Sequence, residues 1–592
     1  HSPHAAVIAA DCRRPAVTGG RPSRQSPRAT RCSRRRDPAG LRSCPCLAFL
    51  IFRLSVTVLS DTFALLLPHI ALAFAASLFL LAGTFRLAPR VFGPSALLVL
   101  GAVAYCLWNS AFAGAAASSQ LAVQSSPLAL GFQFCCLAGG ALLVLQSMSL
   151  QRESESAAEF YGMLLLLLDG LMLVSVANDL VVLFLSLELI SIPTYVLLYL
   201  GRRDQRSQEA AVKYFLLSVF SAALLLYGLA FVYGLTGSTQ LAAVRAVLAE
   251  TYNPSSQGQA VAAPSVLGVV ALVLIFAGIG FKVAAVPFHF YAPDVYEGTS
   301  AFNAGLLAVV PKAAGFVALF RLAGAATVGF EATGQQLALI LAGVTMTGGN
   351  CLALLQTNIR RLLAYSSIAH AGYMLIGFAV GFWEQGNPEL ALTARGGMGL
   401  PGGMQASLLY LLAYSLTSIG LFAVLIYLGR PGRQVEHVDD LTGLAKSQPV
   451  VAVAFALFLF SLAGIPPLPG FWGKFAVFAS ALSVRQPNSE IVFQLHPAFA
   501  VLAVVGVLNA AIGAVYYLRL ISLMFLQEPL GAPRPAGGRS ALTAALLAAA
   551  GVAVLGIVPG PVFQFLQTAG QTSAAAAITE PPDLSTTQIA AD

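Results

Sequence analysis

The stretch Ala277–Tyr291, AGIGFKVAAVPFHFY, places a lysine inside a long apolar run. The eleven residues before it, VLGVVALVLIF from Val266, carry no charge. A charged side chain at membrane depth costs about 2.5–3.5 kcal/mol even on lenient insertion scales. Lys282 must therefore be compensated by a partner or used by a mechanism.

The rest of the chain agrees with a membrane reading. Of 592 residues, 57% are hydrophobic and 10% charged, and the mean hydropathy is +0.79. Soluble domains carry about 25% charged residues. The fold class is an all-α polytopic membrane protein set in a lipid bilayer. The formal charge of +8 belongs to the first residues. Up to residue 53 there are eleven arginines against Asp11 and Asp37, leaving 22 basic and 23 acidic residues for the remainder. Net basicity thus gives no case for nucleic acid as a partner.

Residues 1–57 are rich in Arg, Ser and Pro and are expected to be a disordered tail. It reads either as an organelle transit segment or as the product of a mis-set start, the second being preferred. Residues 569–592 are expected to be a flexible C-terminal tail. Cys12, Cys32, Cys44 and Cys46 lie in the N-terminal tail, while Cys106, Cys135, Cys136 and Cys351 lie in apolar runs. Their spacing suits no zinc or iron–sulfur site, so buried free thiols are expected. There is no phosphate loop or dinucleotide fingerprint.

A span needs about 20 mostly apolar residues. Breaking residues 58–568 at charged and Pro/Gly-rich stretches gives fourteen spans, centred near Ala75, Tyr105, Ala138, Leu168, Ser191, Leu224, Leu274, Val310, Thr345, Leu375, Tyr414, Phe460, Ile512 and Gly551. Loops after odd-numbered spans hold thirteen Lys or Arg, whereas loops after even-numbered spans hold Arg245, Arg321, Arg395 and Arg485. The arginine-rich face should be cytoplasmic or matrix-side.

Arginine outnumbers lysine 28 to five, and the lysines are Lys213, Lys282, Lys312, Lys446 and Lys474. Lys446 lies in a loop and Lys213 opens the sixth span. The other three lie within apolar segments. Arginine is effectively always protonated, whereas a desolvated lysine releases its proton far more readily. Keeping Lys at these sites suits proton traffic. Glu188 is the one carboxylate in LVVLFLSLELISIPTYVLLYL, and pairing it with a lysine from another span would lower the cost of burying both. The competing reading is a static ion pair between helices.

Pro287 follows Lys282 by five residues, and Pro466, Pro467 and Pro469 precede Lys474 in SLAGIPPLPGFWGKF. Proline frees backbone groups, which membranes tolerate only inside protein or beside water. Broken helices beside ionisable groups suit an ion-coupled transporter, although a packing kink would look the same in sequence. His289, seven residues after Lys282, should share its helix face. His370 lies in RRLLAYSSIAHAGYMLIGF with Tyr365, Ser366 and Ser367 nearby. Both imidazoles are candidate relays, or hydrogen-bonded structural histidines. His69 and His437 lie near span ends and are assigned no function. Asp294 and Glu297 read either as shaping a loop or as a proton entry, the loop being preferred.

Five stretches carry a family resemblance: LFLSLELISIPTYVLLYL, EAAVKYFLLSVFSAALLLYG, GFKVAAVPFHFYAPDVYEGTSAFNAGLLAVVPKAAGF, RRLLAYSSIAHAGYMLIGF and LFLFSLAGIPPLPGFWGKF. Together they resemble the subunit N family of bacterial respiratory NADH–quinone oxidoreductase (complex I), homologous to mitochondrial subunit 2. The resemblance covers residues 58–568. It implies fourteen helices with inverted five-helix repeats, spans 4–8 and 9–13, and discontinuous spans 7 and 12. It implies a charged axis in which Glu188 pairs with Lys282, Lys312 links inward and Lys474 ends the half-channel, with Lys213 less firmly matched. It also implies no redox cofactor in this chain. NADH, FMN, iron–sulfur clusters and quinone would belong to partner subunits, alongside neighbouring antiporter-like membrane-arm subunits. TSAFNAG departs from the family, which more often has a proline there. The expected home is a bacterial plasma membrane, with a mitochondrial inner membrane as the alternative. Rival readings are a subunit of a related sodium/proton antiporter, a plastid homologue serving a ferredoxin-driven quinone reductase, and a structural scaffold. Buried lysines argue against the scaffold.

Overall fold

The structure is a computed structural model that describes residues 45–85, 87–112, 122–201, 204–252, 265–388, 390–391, 401–429, 435–485, 495–529 and 538–579. Most of the N-terminal tail lies outside the described residues, as do 580–592 and Arg86, Arg202, Arg203, Arg395, Arg430, Arg433 and Arg534 of the charge comparison. The chain divides into units 1–57 and 58–592. In the first, only residues 45–57 are described, and they are helical as part of Pro45–Gly83. The apolar run from Cys46 explains a helix where a disordered tail is expected.

Thirteen described helices are long and apolar enough to cross a membrane. In chain order these are Leu65–Gly83, Pro89–Ser110, Pro127–Ser147, Ala157–Val176, Leu180–Gly201, Gln205–Thr236 and Val266–Val283 as spans 1–7, then Ala301–Ala325, Glu331–Leu354, Ile359–Gly386 and Gly403–Leu428 as spans 8–11, and Pro497–Leu526 and Gly538–Ile557 as spans 13 and 14. The twelfth span is two shorter helices, Pro449–Ala463 and Pro469–Ser483. Every expected centre falls inside one of these helices. Among the described residues four α-helices lie outside the expectation: Leu241–Tyr252 between spans 6 and 7, Tyr291–Gly298 where a loop is expected, Leu444–Ser447 between spans 11 and 12, and Gly560–Thr579, which continues past the expected tail boundary at 569.

Polar caps set several helix starts. Ser126, Ser265 and Ser300 accept from the backbone N–H groups of Ala129, Gly268 and Asn303. Each satisfies a donor that the helix leaves unpaired. The seventh span stops where Ala284 turns left-handed at φ 59°, and a short helix, Tyr291–Gly298, resumes after the break. The twelfth stops at Gly464, φ 89°. Glycine takes that conformation without the steric cost that alanine bears. The broken spans are the fourth members of the five-helix runs 4–8 and 9–13. A shift of five, an odd number of crossings, reverses orientation, so the second run is inverted relative to the first.

Burial ranks the spans. The apolar window of span 10 is 100% buried and that of span 8 is 89%, against 28% for span 1. Span 10 is also the least apolar of the thirteen, because protein rather than lipid surrounds it. Spans 9 and 10 touch backbone to backbone, since a Cβ on Gly372 would lie 2.5 Å from the Met346 nitrogen. Small residues at such crossings allow this approach. Of the described cysteines, Cys136 is buried, whereas Cys135 and Cys351 are exposed. On a membrane helix the outside is lipid, so an apolar run does not imply burial within the protein.

Candidate functional site

Glu188 and Lys282 meet between spans 5 and 7. Lys282 Nζ lies 3.9 Å from Glu188 Oε1, with side-chain exposures of 3% and 22% respectively. The closer partner of the ammonium is a hydroxyl: it donates to Ser191 Oγ at 2.5 Å and, more weakly, to Ser218 Oγ at 3.4 Å. Ser191 stands 3.4 Å from Glu188 Oε1, so the hydroxyl sits between cation and anion. Span 8 passes directly behind: a Cβ on Gly315 would lie 3.2 Å from Lys282 Cβ. Lys312 is three residues earlier on that helix, roughly 4.5 Å along its axis.

Lys312 is 1% exposed. It donates to the Ser367 carbonyl at 2.5 Å and also to the Ser367 hydroxyl. That hydroxyl accepts from Tyr414 Oη at 2.7 Å, and the Lys312 ammonium lies 5.8 Å from the Tyr414 ring centre. His370, one turn further along span 10, is held between two tyrosines, with Nδ1 2.7 Å from Tyr410 Oη and Nε2 2.9 Å from Tyr517 Oη. Tyr517 also bonds the Ser366 hydroxyl. Lys474 lies 5.1 Å from the Tyr373 ring centre, and Tyr373 packs edge-on against His370. Spans 8, 10, 11, 12 and 13 thus bring two lysines, an imidazole and a set of phenols to one buried region.

The break in span 12 positions Lys474. Its ammonium donates to the carbonyls of Leu462 and Ala463 at 3.0 and 2.9 Å, the last carbonyls of the first half-helix. A cation there meets the negative end of the helix dipole. Gly470 lets the second half begin against the first, since a Cβ on it would fall 1.8 Å from the Ser461 carbonyl oxygen. In span 7 other groups do the capping: Ala285 N–H bonds the Gly280 carbonyl and Tyr291 Oη the Phe281 carbonyl. Lys282 is left free to face Glu188.

Two expected members lie elsewhere. His289 falls within the break, after the helix has ended at Val283, so helical spacing does not carry it to the Lys282 face. Among the described residues no hydrogen bond or ion pair joins it to Glu188 or the three buried lysines. Lys213 is 44% exposed and pairs with Glu209 at 2.7 Å and Asp294 at 3.5 Å. Asp294 and Glu297 occupy the short helix after the break and clamp Arg361 at 2.8 and 2.9 Å. This is a charged cluster at the arginine-rich end, separate from the buried line.

Sequence reasoning passed over several residues. Tyr410 and Tyr414 are four apart on span 11, a spacing that puts them on one helix face. Arg360, counted as a loop arginine, is 1% exposed and donates to the Thr299 carbonyl and to Glu436. His69 is not a bystander at a span end: its Nδ1 lies 2.8 Å from Asp169, with Gln133 at 3.3 Å from its other nitrogen. Asp169 in LLLLLDGLM was a visible signal, a lone acid within an apolar run.

Comparison with known proteins agrees with this architecture. The family described as NADH:quinone oxidoreductase/Mrp antiporter, transmembrane, matches residues 177–499. NADH-quinone oxidoreductase subunit N of Trichlorobacter lovleyi is 38% identical, covering 73% of this chain and 81% of that protein. A chain of respiratory complex I from Thermus thermophilus with bound aureothin superposes with a TM-score of 0.64 at 30% identity, covering 84% of this chain and 98% of that one. A chain of the Mrp complex from Dietzia superposes equally well, TM-score 0.64, at 22% identity, a likeness of fold alone.

Proposed function

The chain belongs to the subunit N family of NADH-quinone oxidoreductases, and on that premise we propose that it moves protons through the buried line Glu188–Lys282–Lys312–His370–Lys474. It is a multi-pass membrane protein of a family of membrane-arm, proton-translocating subunits. The observation that carries the finer reading is the charge imbalance of the line. Three buried lysines share one carboxylate, and that carboxylate reaches only Lys282. Burying unpaired cations is costly unless their charge changes. A static scaffold would place apolar residues there.

When Glu188 is charged it favours a proton on Lys282, through both attraction and Ser191. Neutralising or displacing Glu188 removes that support, and Lys282 gives up its proton. No hydrogen bond links Lys282 to Lys312, so the step past Gly315 requires water. From Lys312 the Ser367 hydroxyl and Tyr414 continue the line. His370, with one tyrosine on each ring nitrogen, stands between Lys312 and Lys474. Lys474 trades its proton against the half-helix dipole.

In this reading the chain has no redox centre. NADH, FMN, iron–sulfur clusters and quinone are handled by partner subunits, which drive Glu188 from outside. The partners include neighbouring antiporter-like membrane subunits, and the setting is a bacterial plasma membrane. The test is proton uptake by membrane vesicles on adding NADH, with Glu188→Gln compared to wild type after native electrophoresis has shown an assembled complex. Pumping should fall at least ten-fold. Wild-type pumping would remove Glu188 from the path.

A further inference from the structure

A cavity of about 1340 Å³ lies on the side of span 8 away from the proton line. It is larger than the roughly 300–1,000 Å³ usual for small-molecule sites. Spans 3, 4, 8 and 11, the helix Leu241–Tyr252 and the last helix wall it. Its lining runs along span 3 from Pro127 to Leu143, roughly 24 Å at the helical rise. That depth exceeds one leaflet of a hydrocarbon core about 30 Å thick.

The two ends of the cavity differ chemically. Along spans 3 and 11 its wall is Leu142, Leu143, Leu408, Leu412 and Ile419. At the Pro127 end it is polar, with Ser126, Asn178, Arg245 and Arg321. Arg321 is braced by the carbonyls of Gln124 and Ser175. Arg245 projects from the amphipathic helix Leu241–Tyr252 and is exposed. Among the described residues neither arginine forms an ion pair with a carboxylate. By sequence, only four arginines are assigned to the loops at this end, and two of them line this one cavity, Arg321 from the end of span 8 and Arg245 from the helix Leu241–Tyr252. General topology signals would place them on the other face.

We infer that the cavity binds an anionic phospholipid of the arginine-poor leaflet, its phosphate between Arg245 and Arg321 and an acyl chain running down span 3 toward Leu142. An apolar slot deeper than one leaflet, with cations that have no carboxylate partner among the described residues at its headgroup end, matches both parts of that molecule. A zwitterionic lipid would bring its own cation to the arginines, and a neutral isoprenoid would leave them unused.

The test uses the intact complex containing this chain, purified in detergent, stripped of loosely held lipid and re-equilibrated with palmitoyl-oleoyl phosphatidylglycerol or the matching phosphatidylcholine. Native mass spectrometry then counts retained lipid. Ala138→Trp fills the cavity from its exposed position on span 3 without touching either arginine, and should remove about one phosphatidylglycerol per complex. Arg245→Gln should weaken phosphatidylglycerol retention about five-fold and leave phosphatidylcholine unchanged. Among the described residues Arg245 braces no backbone, so this variant keeps the test informative if Arg321→Gln fails to assemble. Unchanged lipid in Ala138→Trp, equal retention of the two lipids, or loss of a quinone in place of a phospholipid would each overturn the assignment.

Discussion

The ammonium of Lys312 donates to both the carbonyl and the hydroxyl of Ser367, and no carboxylate lies within ion-pair reach of it among the described residues. The most deeply buried lysine of the chain is therefore held by a single residue of span 10. That residue in turn accepts from Tyr414.

Ser367→Ala should leave the backbone carbonyl in place while removing the hydroxyl from both Lys312 and Tyr414. Hydrogen bonds to charged groups are worth about 1.5–3 kcal/mol. NADH-driven pumping by the assembled complex should fall about ten-fold or more. Pumping within two-fold of wild type would place the proton route elsewhere.

Lys474 has two candidate duties, capping the first half of span 12 and carrying a proton, and Lys474→Arg separates them. A guanidinium still caps Leu462 and Ala463 but does not release its proton. The variant should assemble normally and lose pumping. An active Lys474→Arg complex would leave only the cap.

Gly470→Ala tests how the break is built. With a methyl group directed at the Ser461 carbonyl, the half-helices must separate, at a cost of about 1–3 kcal/mol or more. The solubilised protein should show a lower thermal midpoint, measured by tryptophan fluorescence, and pumping should drop with it. An unchanged midpoint would show that the halves part freely.

The breaks themselves were legible. Prolines 287, 466, 467 and 469 interrupt apolar runs, and lysine survives in a chain that otherwise uses arginine. The position of His289 was not, because counting seven residues along a helix assumes the helix continues, and Ala284 ends it. The tyrosines were hidden for another reason. Tyr410, Tyr414 and Tyr517 come from spans 11 and 13, and only packing around span 10 turns ordinary core aromatics into partners for His370. Arg360 was misplaced because a charge at a helix start reads as a loop, whereas the Thr299 carbonyl and Glu436 hold it inside the protein.

His69 and Asp169 form a buried pair apart from the lysine line. His69→Leu alone leaves the buried Asp169 carboxyl group without its imidazole partner and should cost about 1–3 kcal/mol, whereas His69→Leu with Asp169→Leu should recover most of that loss. Thermal unfolding of the two variants checks this. Pumping per assembled complex should stay at the wild-type level in the double variant, and its loss would bring the pair into the proton path.

The most direct measurement is the number of protons taken up per NADH by vesicles carrying Lys282→Met, once native electrophoresis has shown that the complex assembles. Methionine keeps the length of the side chain and removes its proton. Electron transfer and pumping should both collapse, because a coupled path is blocked at its first lysine. Wild-type values for both would make Lys282 a structural charge and contradict the proposed path.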